Sequence, residues 1–181
     1  GYVGQLRTMG AEKGIESLIE AYLIFKNNFT DSMIVIVGGS GEDLKTYRDI
    51  ARQRGLSEKE ILFIGRKEHK EIPSYLKAFD ILVMPFPYTM HYAFYMSPLK
   101  LFEYMASKRP VVATDLPTVR EILNEENSIL VKPDNPSSLG EAIRKLLNSP
   151  EFGKKLAKNA FEEVKNYTWQ KRAEKILEFI Q

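Results

Sequence analysis

Residues 33–39 read MIVIVGG, a short apolar run, mostly β-branched, that a pair of glycines ends. β-Branched residues favour extended structure, and a glycine pair marks a turn. Because every position from 33 to 37 is apolar, neither face of this strand suits water. We therefore predict a strand buried on both faces, which is typical of a parallel sheet covered by helices.

The same pattern recurs on both sides of this run. Short apolar strands are predicted at residues 2–6, 61–64, 81–84, 111–113 and 129–131, and helical periodicity separates most of them. Parallel neighbours require right-handed crossovers, so the pattern predicts an α/β fold. We expect a Rossmann-like three-layer domain with a six-stranded parallel sheet.

The last fifty residues follow another pattern, with three helices and no strand between them. Asn135 and Pro136 form a favourable start for the first, and Thr168 is a suitable N-cap for the last. One face of the last helix is apolar (Trp169, Ala173, Ile176, Leu177 and Ile180). This face could pack on the core of the same domain or on a neighbouring domain.

Composition restricts the functional classes. The 181 residues fit one domain, and a net charge of +2 argues against a nucleic-acid partner. The chain has no cysteine and two histidines, so a zinc site is not expected. No apolar run approaches the roughly 18 residues of a membrane span. We expect a cytoplasmic domain excised from a larger protein, whose full-length form could contact the inner face of the membrane peripherally.

Ligands of open parallel sheets bind beyond the carboxyl ends of the strands, where four segments are of interest. The first contains Gly4 and Gln5 at the end of the first strand and Lys13 before the next helix. Its lysine could reach an anion at the helix start, although the segment taken alone is explained more simply as an ordinary strand–loop–helix with a surface lysine. The second, residues 37–43, has two glycines of a dinucleotide motif but Leu44 in place of the third, so we interpret it as a tight turn.

The third segment, residues 85–97, is rich in aromatic residues and methionine and contains no Asp, Glu, Lys or Arg. Long loops of this kind are often functional, unless their aromatic side chains return to the core. In the fourth segment, Ser97 is predicted to cap a helix whose start at Pro98, Leu99 and Lys100 would bind an anion. Glu103 could accept hydrogen bonds from ribose hydroxyls, or it could simply pair with Lys100 on a solvated helix.

These segments, in this order, resemble the C-terminal half of glycosyltransferase family 4. The resemblance rests on Tyr2–Leu6 with Lys13-Gly14, Val37-Gly38, Phe63–Gly65, Ala78–Pro85, Ser97–Ala106 and Arg109–Ala113. It implies one half of a GT-B enzyme, in which two Rossmann-like domains face each other across a cleft. The C-terminal domain would bind a nucleoside diphosphate sugar, and transfer would proceed with retention and without a metal or other cofactor.

The resemblance also implies roles for individual residues. Lys13 would be catalytic and, with Gly4 and Gln5, would face the diphosphate. Ser97, Pro98, Leu99 and Lys100 would hold phosphate or sugar, Glu103 would bind ribose, and Gly65 and Arg66 would border the base. Two positions depart from the family pattern: Gln5 stands where many members have arginine, with Arg7 as a candidate substitute, and Tyr95 replaces the first of two glutamates.

The expected activity is transfer of a hexose-type sugar from a nucleotide-activated donor to a glycan or a lipid-linked acceptor. The acceptor-binding domain is expected to precede this domain in the same polypeptide and to be its partner. Two alternatives remain: a non-catalytic or regulatory nucleotide-binding module, such as a receiver-like domain, and a GT-B sugar-nucleotide epimerase. A receiver would need an acidic cluster at strand ends, where this chain has Gly4 and Gly38.

Overall fold

A computed structural model describes residues 1–8 and 10–180. Short strands alternate with helices, as the sequence predicts. In chain order, the strands are β1 (Tyr2–Val3), β2 (Arg7–Thr8), β3 (Ala11–Glu12), β4 (Ile34–Val37), β5 (Ile61–Gly65), β6 (Leu82–Met84), β7 (Val111–Thr114) and β8 (Ile129–Val131).

The helices are α1 (Ile15–Phe25), α2 (Gly41–Gln53), α3 (Ile72–Ala78), α4 (Leu99–Ala106), α5 (Pro117–Arg120), α6 (Pro136–Asn148), α7 (Pro150–Val164) and α8 (Trp169–Phe179). Short 3-10 turns lie at Lys26–Asn28, His69–Glu71 and Lys165–Tyr167, and a π-helical turn lies at His91–Tyr95.

The parallel strands form two three-stranded sheets, in the orders β1-β4-β5 and β6-β7-β8. Strand β1 lies beside β6, where the N–H of Val83 donates to the carbonyl of Gly1 at 2.9 Å and the amine of Gly1 donates to Ile81 O at 2.6 Å. The predicted continuous six-stranded sheet is therefore corrected to two adjoining sheets. The strands still follow one another as β5-β4-β1-β6-β7-β8, but two-residue β1 is too short to continue the ladder.

Helices cover both faces of the strands. Ile36 and Val112 belong to a core shared with α1 and α6, whereas their neighbours Val37 and Val111 belong to a second core shared with α4. Successive side chains of a strand point to opposite faces, so both faces are buried. The three-layer α/β architecture is confirmed.

The first segment departs from its prediction. Strand β1 ends at Val3 rather than Leu6, and the predicted loop folds back as the antiparallel pair of β2 and β3, with Arg7 opposite Glu12. Met9, within that loop, lies outside the described residues. The hairpin carries Arg7 to the carboxyl ends of the parallel strands.

Two of the predicted helix caps are confirmed and one is wrong. The side chain of Asn135 accepts the N–H of Ser138 at 2.9 Å, and that of Thr168 accepts the N–H of Lys171 at 3.2 Å. Helix α4, however, is preceded by Pro98 in the cap position and has no side-chain cap from Ser97. Since proline has no N–H, Pro98 cannot donate to an anion.

Helix α8 buries none of its residues within the chain. Trp169 is 74% exposed and Phe179 is 91% exposed, so the apolar face does not pack on the core of this domain. No helix in residues 1–8 and 10–180 has the length and apolar character needed to cross a membrane.

Candidate functional site

A pocket of about 440 Å³ opens at the carboxyl ends of β1, β4 and β5. It lies beside the switch point of the sheet, where the chain runs outward from β1 to β5 and then returns to β6 on the other side. Such switch points are the usual ligand sites of open α/β sheets. Its lining includes four cationic and two acidic side chains: Arg7, Arg66, Lys67, Lys100, Asp43 and Glu103.

The turn after β1 is held by a relay of two hydrogen bonds. Lys100 Nζ donates to the hydroxyl of Tyr2 at 2.8 Å, and that hydroxyl donates to the carbonyl of Gln5 at 2.7 Å. Gly4, between them, has φ +142°, and a Cβ there would lie 2.4 Å from Lys100 Nζ. Glycine thus lets the lysine amine approach the backbone at the mouth of β1.

Helix α4 presents Lys100 and Glu103 to this pocket because Tyr104 anchors it. The buried Tyr104 hydroxyl accepts the N–H of Val3 at 2.8 Å and donates to the carbonyl of Val3 at 3.2 Å. Lys100 lies one turn before Tyr104, on the same side of the helix, and therefore meets the same strand end. Glu103 points across the pocket instead, with its Oε1 at 3.1 Å from Nε2 of His69.

Lys13 approaches the same strand ends from α1. Gly14 begins this helix with φ +78°, and a Cβ there would lie 1.6 Å from the carbonyl oxygen of Pro85. This close approach places Lys13 Nζ 4.6 Å from the ring centroid of Tyr92 and 5.3 Å from that of Phe86. Phe86 and Tyr92 are stacked 5.0 Å apart and form a buried aromatic wall.

Both lysine amines lie in surroundings that disfavour their charged form. Burial lowers the pKa of Lys13, and burial together with the charge of Lys13 lowers the pKa of Lys100 to about 7, against an opposing effect of Glu103. Within the described chain neither amine has a carboxylate partner. Lys100 lines the pocket and Lys13 stands beside it, and two amines without a carboxylate ion-pair partner favour an anionic ligand there.

The chain resembles known proteins along most of its length. Residues 1–163 match the model of the family described as glycosyl transferases group 1. The chain belongs to this family. It is 31% identical over 161 residues to an uncharacterized glycosyltransferase of Methanocaldococcus jannaschii, covering 88% of this chain but 42% of that protein. The chain thus spans less than half the length of that curated relative.

Solved structures agree on the fold. A crystal structure of the C-terminal domain of a glycosyl transferase group 1 family protein from Francisella tularensis matches with a TM-score of 0.73 and 28% identity, over 91% of this chain and 83% of that one. Anabaena HepE, solved in complex with UDP and glucose, matches with a TM-score of 0.72 over 90% of this chain and 43% of its own. At 20% identity, HepE shows the fold alone. This domain therefore has the Rossmann-like fold of half a GT-B enzyme.

The residues predicted for the site of this glycosyltransferase-family domain fall into three groups. Gly4, Gln5, Arg66, Lys100 and Glu103 line the pocket. Lys13 stands beside it on the aromatic wall, and Gly65 lies behind it, its carbonyl accepting the N–H of Gly38 at 2.8 Å. Ser97 and Leu99 instead line a different groove of about 690 Å³ that α8 borders, and Pro98 lines neither.

The structure also brings into the site the segment 37–43, which the sequence pattern indicates only as a turn, and Arg7, the candidate substitute for the missing arginine. Gly38, Gly39, Ser40 and Asp43 line the pocket together with Arg7. The sequence pattern predicts only a turn into a helix at 37–43. The position of this segment after an apolar strand already places it among the four segments at the carboxyl ends of the strands, which all meet the same edge of a parallel sheet, but its incomplete glycine motif indicates no ligand-binding role.

The aromatic segment at 85–97 divides between core and surface. Phe86 and Tyr92 are buried, whereas Tyr88, Met90, Phe94 and Tyr95 are at least half exposed, with Tyr95 at 74%. A π-helical turn, in place of the predicted loop, produces this division. Among the described residues no cluster of three or more His, Asp or Glu side chains could hold a metal ion.

Proposed function

We propose that this chain is the C-terminal, donor-binding domain of a retaining family 4 glycosyltransferase. One observation carries the proposal: two lysines without carboxylate partners, Lys13 and Lys100, approach the Phe86 ring to 5.3 and 5.4 Å beside the Gly4 turn. The diphosphate of a nucleoside diphosphate sugar would supply the negative charge that these two lysines lack as a partner. The full-length enzyme would transfer a hexose-type sugar to a glycan or a lipid-linked acceptor, at the cytoplasmic side of the membrane and without a metal or other cofactor.

The proposed binding mode follows the lining of the pocket. The diphosphate lies against Gly4, Gln5 and Lys100, with Lys13 on the side of the leaving oxygen. Glu103 accepts hydrogen bonds from the ribose hydroxyls, since a carboxylate offers two acceptor oxygens. Gly65 and Arg66 border the base.

The proposed mechanism is electrostatic. The leaving nucleoside diphosphate gains negative charge as the glycosidic bond breaks, and fixed cations in a shielded site stabilise that charge. Removal of one such interaction usually costs about 2–4 kcal/mol of transition-state stabilisation. In the full-length enzyme we expect a loss of this size for Lys13→Met.

The remaining partner is an N-terminal acceptor domain of the same protein. Two features support it: the chain covers 42% of its archaeal relative, and the apolar face of α8 stays exposed. The acceptor would bind between the two domains, near the exposed aromatic residues after β6.

A thermal-shift panel of UDP, GDP, ADP and their sugar derivatives tests the proposal. A ligand at 100 times its Kd stabilises the fold by about 2.7 kcal/mol. Glu103→Ala should abolish the shift with the best ligand. The matched control is Glu162→Ala, which removes an exposed carboxylate paired with Lys165 away from the pocket. Absence of any shift across the panel, or an equal loss in both variants, contradicts the proposal.

A further inference from the structure

Lys100 occupies an unusual setting for an ammonium group. Its Nζ lies 2.8 Å from the hydroxyl of Tyr2, 4.1 Å from the centre of the Tyr2 ring and 5.4 Å from the centre of the Phe86 ring. Apart from the backbone at Gly4, its amine therefore contacts two aromatic rings and a neutral hydroxyl. Glu103, the nearest acid on its own helix, directs Oε1 to His69 instead.

The groups that face Lys100 come from every surrounding element. Tyr2 lies on β1 and Glu103 and Tyr104 on α4, while Lys13 approaches from the start of α1. The rest of the pocket lining includes the cations Arg7, Arg66 and Lys67 and one further acid, Asp43. Burial and the charge of Lys13 lower the pKa of Lys100 to about 7, because Glu103 compensates only in part.

The hydrogen bond from Lys100 to the Tyr2 hydroxyl can persist when the amine loses a proton. The Tyr2 hydroxyl already donates to the carbonyl of Gln5, so it is an acceptor toward Lys100. A neutral amine keeps two N–H donors and can still donate to this oxygen. The site can therefore hold the amine in either protonation state, whereas an anion bound in the pocket favours the ammonium.

We propose that Lys100 couples nucleotide-sugar binding to proton uptake: its amine takes a proton from solvent as the diphosphate enters and returns it as the product leaves. The nitrogen lone pair accepts the proton, so no other group changes its covalent state. The inference rests on the proposed function and goes further, since it assigns the proton to one residue. As a consequence, donor affinity decreases as pH rises above neutrality.

Calorimetric titration of the 181-residue chain in buffers of different ionisation enthalpy measures the uptake. UDP-glucose, GDP-mannose and ADP-glucose serve as probes, because the diphosphate of a nucleotide sugar has no proton to lose near neutral pH. For the probe that binds, we expect uptake of about 0.9 proton at pH 8 and about 0.1 at pH 6, with the bound ammonium protonated at both.

Two variants test whether Lys100 is the residue that takes up the proton. Lys100→Arg should bind with little or no uptake, because a guanidinium stays charged throughout this range. Lys13→Met should keep the uptake and move it to higher pH, since the charge of Lys13 lowers the pKa of Lys100. Melting temperatures measured without ligand verify that both variants fold.

The outcomes separate the two proposals. Binding without uptake in the wild-type chain, or uptake that persists in Lys100→Arg, overturns the inference and leaves the proposed function standing. If uptake disappears in Lys13→Met, then Lys13 and not Lys100 takes up the proton, and the inference is again overturned. If no nucleotide sugar binds, the proposed function fails and the inference fails with it.

Discussion

At the residue scale, Gln5 leaves the pocket with one cation fewer than the family pattern suggests. Arg7 lines the same pocket from the β2–β3 hairpin and is held by Asp43, with Nε 3.8 Å from Oδ1. A charge-assisted hydrogen bond contributes about 1.5–3 kcal/mol, so Arg7→Gln should weaken nucleotide-sugar binding by at least about tenfold. Titration calorimetry measures this change.

The control for Arg7 is Arg52→Gln. Arg52 is also an exposed arginine beside an aspartate, with its guanidinium 3.6 Å from Asp49, but it lies outside the pocket. Equal affinities of the two variants would show that Arg7 does not contact the ligand.

Lys100 also predicts a pH dependence of stability in the absence of ligand. Its folded pKa of about 7 lies below the ordinary 10.5, so between these values the unfolded chain binds a proton that the folded chain lacks. The free energy of unfolding should therefore rise with pH from about 7 to about 10, relative to Lys100→Met, by up to about 1.4 kcal/mol per pH unit. Urea unfolding of both proteins at several pH values measures the difference. Parallel pH profiles would contradict the assigned environment.

The surroundings of single residues are the hardest feature to predict. The resemblance selects Lys13, Lys100 and Glu103, but their neighbours are distant in sequence: Tyr2 is 98 residues from Lys100, and His69 is 34 residues from Glu103. The sequence alternatives pair Glu103 with Lys100 or with ribose. In the structure, Glu103 does not pair with Lys100 but contacts His69 on another element.

At the element scale, the start of α1 depends on close contact between two backbones. Gly14→Ala would bring a Cβ within 1.6 Å of Pro85 O while keeping a left-handed φ. We expect a loss of about 3 kcal/mol or more in the free energy of unfolding, because strain and a backbone clash add. Urea denaturation of the variant measures it.

Gly55→Ala separates these two causes. Gly55 has φ +76°, but no heavy atom lies within 4 Å of the position that a Cβ would take there. Only the left-handed conformation then costs energy, about 1–2 kcal/mol. If Gly14→Ala is no more destabilised than Gly55→Ala, the contact with Pro85 does not fix the start of α1.

Elements specified by local chemistry are predicted correctly. The caps at Asn135 and Thr168 and the apolar strands depend on neighbouring residues alone. The β2–β3 hairpin, the π-helical turn and the early end of β1 depend on contacts across the molecule, which periodicity does not encode. Ser97 fails as a cap for a different reason: Pro98 takes the cap position itself.

Helix α8 should be dispensable for the stability of this domain. It buries no residue, and its apolar face borders only a groove shared with Leu99 and Phe102. A chain that ends at Tyr167 should lose less than about 2 kcal/mol in its free energy of unfolding, because little apolar area leaves contact. Chemical denaturation measures this loss, and a larger one would show that α8 supports the core.

At the scale of the whole molecule, strand order determines which predicted segments meet. Strand β4 lies between β1 and β5, so Gly4, Gly38 and Arg66 come together at one edge. Sequence order alone does not reveal that β6 returns to the far side of β1. This is why the fold class could be predicted, while the presence of Gly38, Gly39, Ser40 and Asp43 in one pocket with Lys100 could not.

The position of the pocket predicts that this domain binds the donor but does not catalyse transfer by itself. The pocket and both lysines belong to this chain, so the 181 residues should bind a nucleotide sugar. The proposed acceptor site needs a second domain, and an unshielded donor faces water, where electrostatic stabilisation of the leaving group is weak. We therefore expect no sugar transfer and no release of nucleoside diphosphate above the blank, even at saturating donor. A coupled assay for released diphosphate measures this, with Lys13→Met as the control. Release that exceeds the blank and disappears in Lys13→Met would show that this chain alone contains the reaction centre.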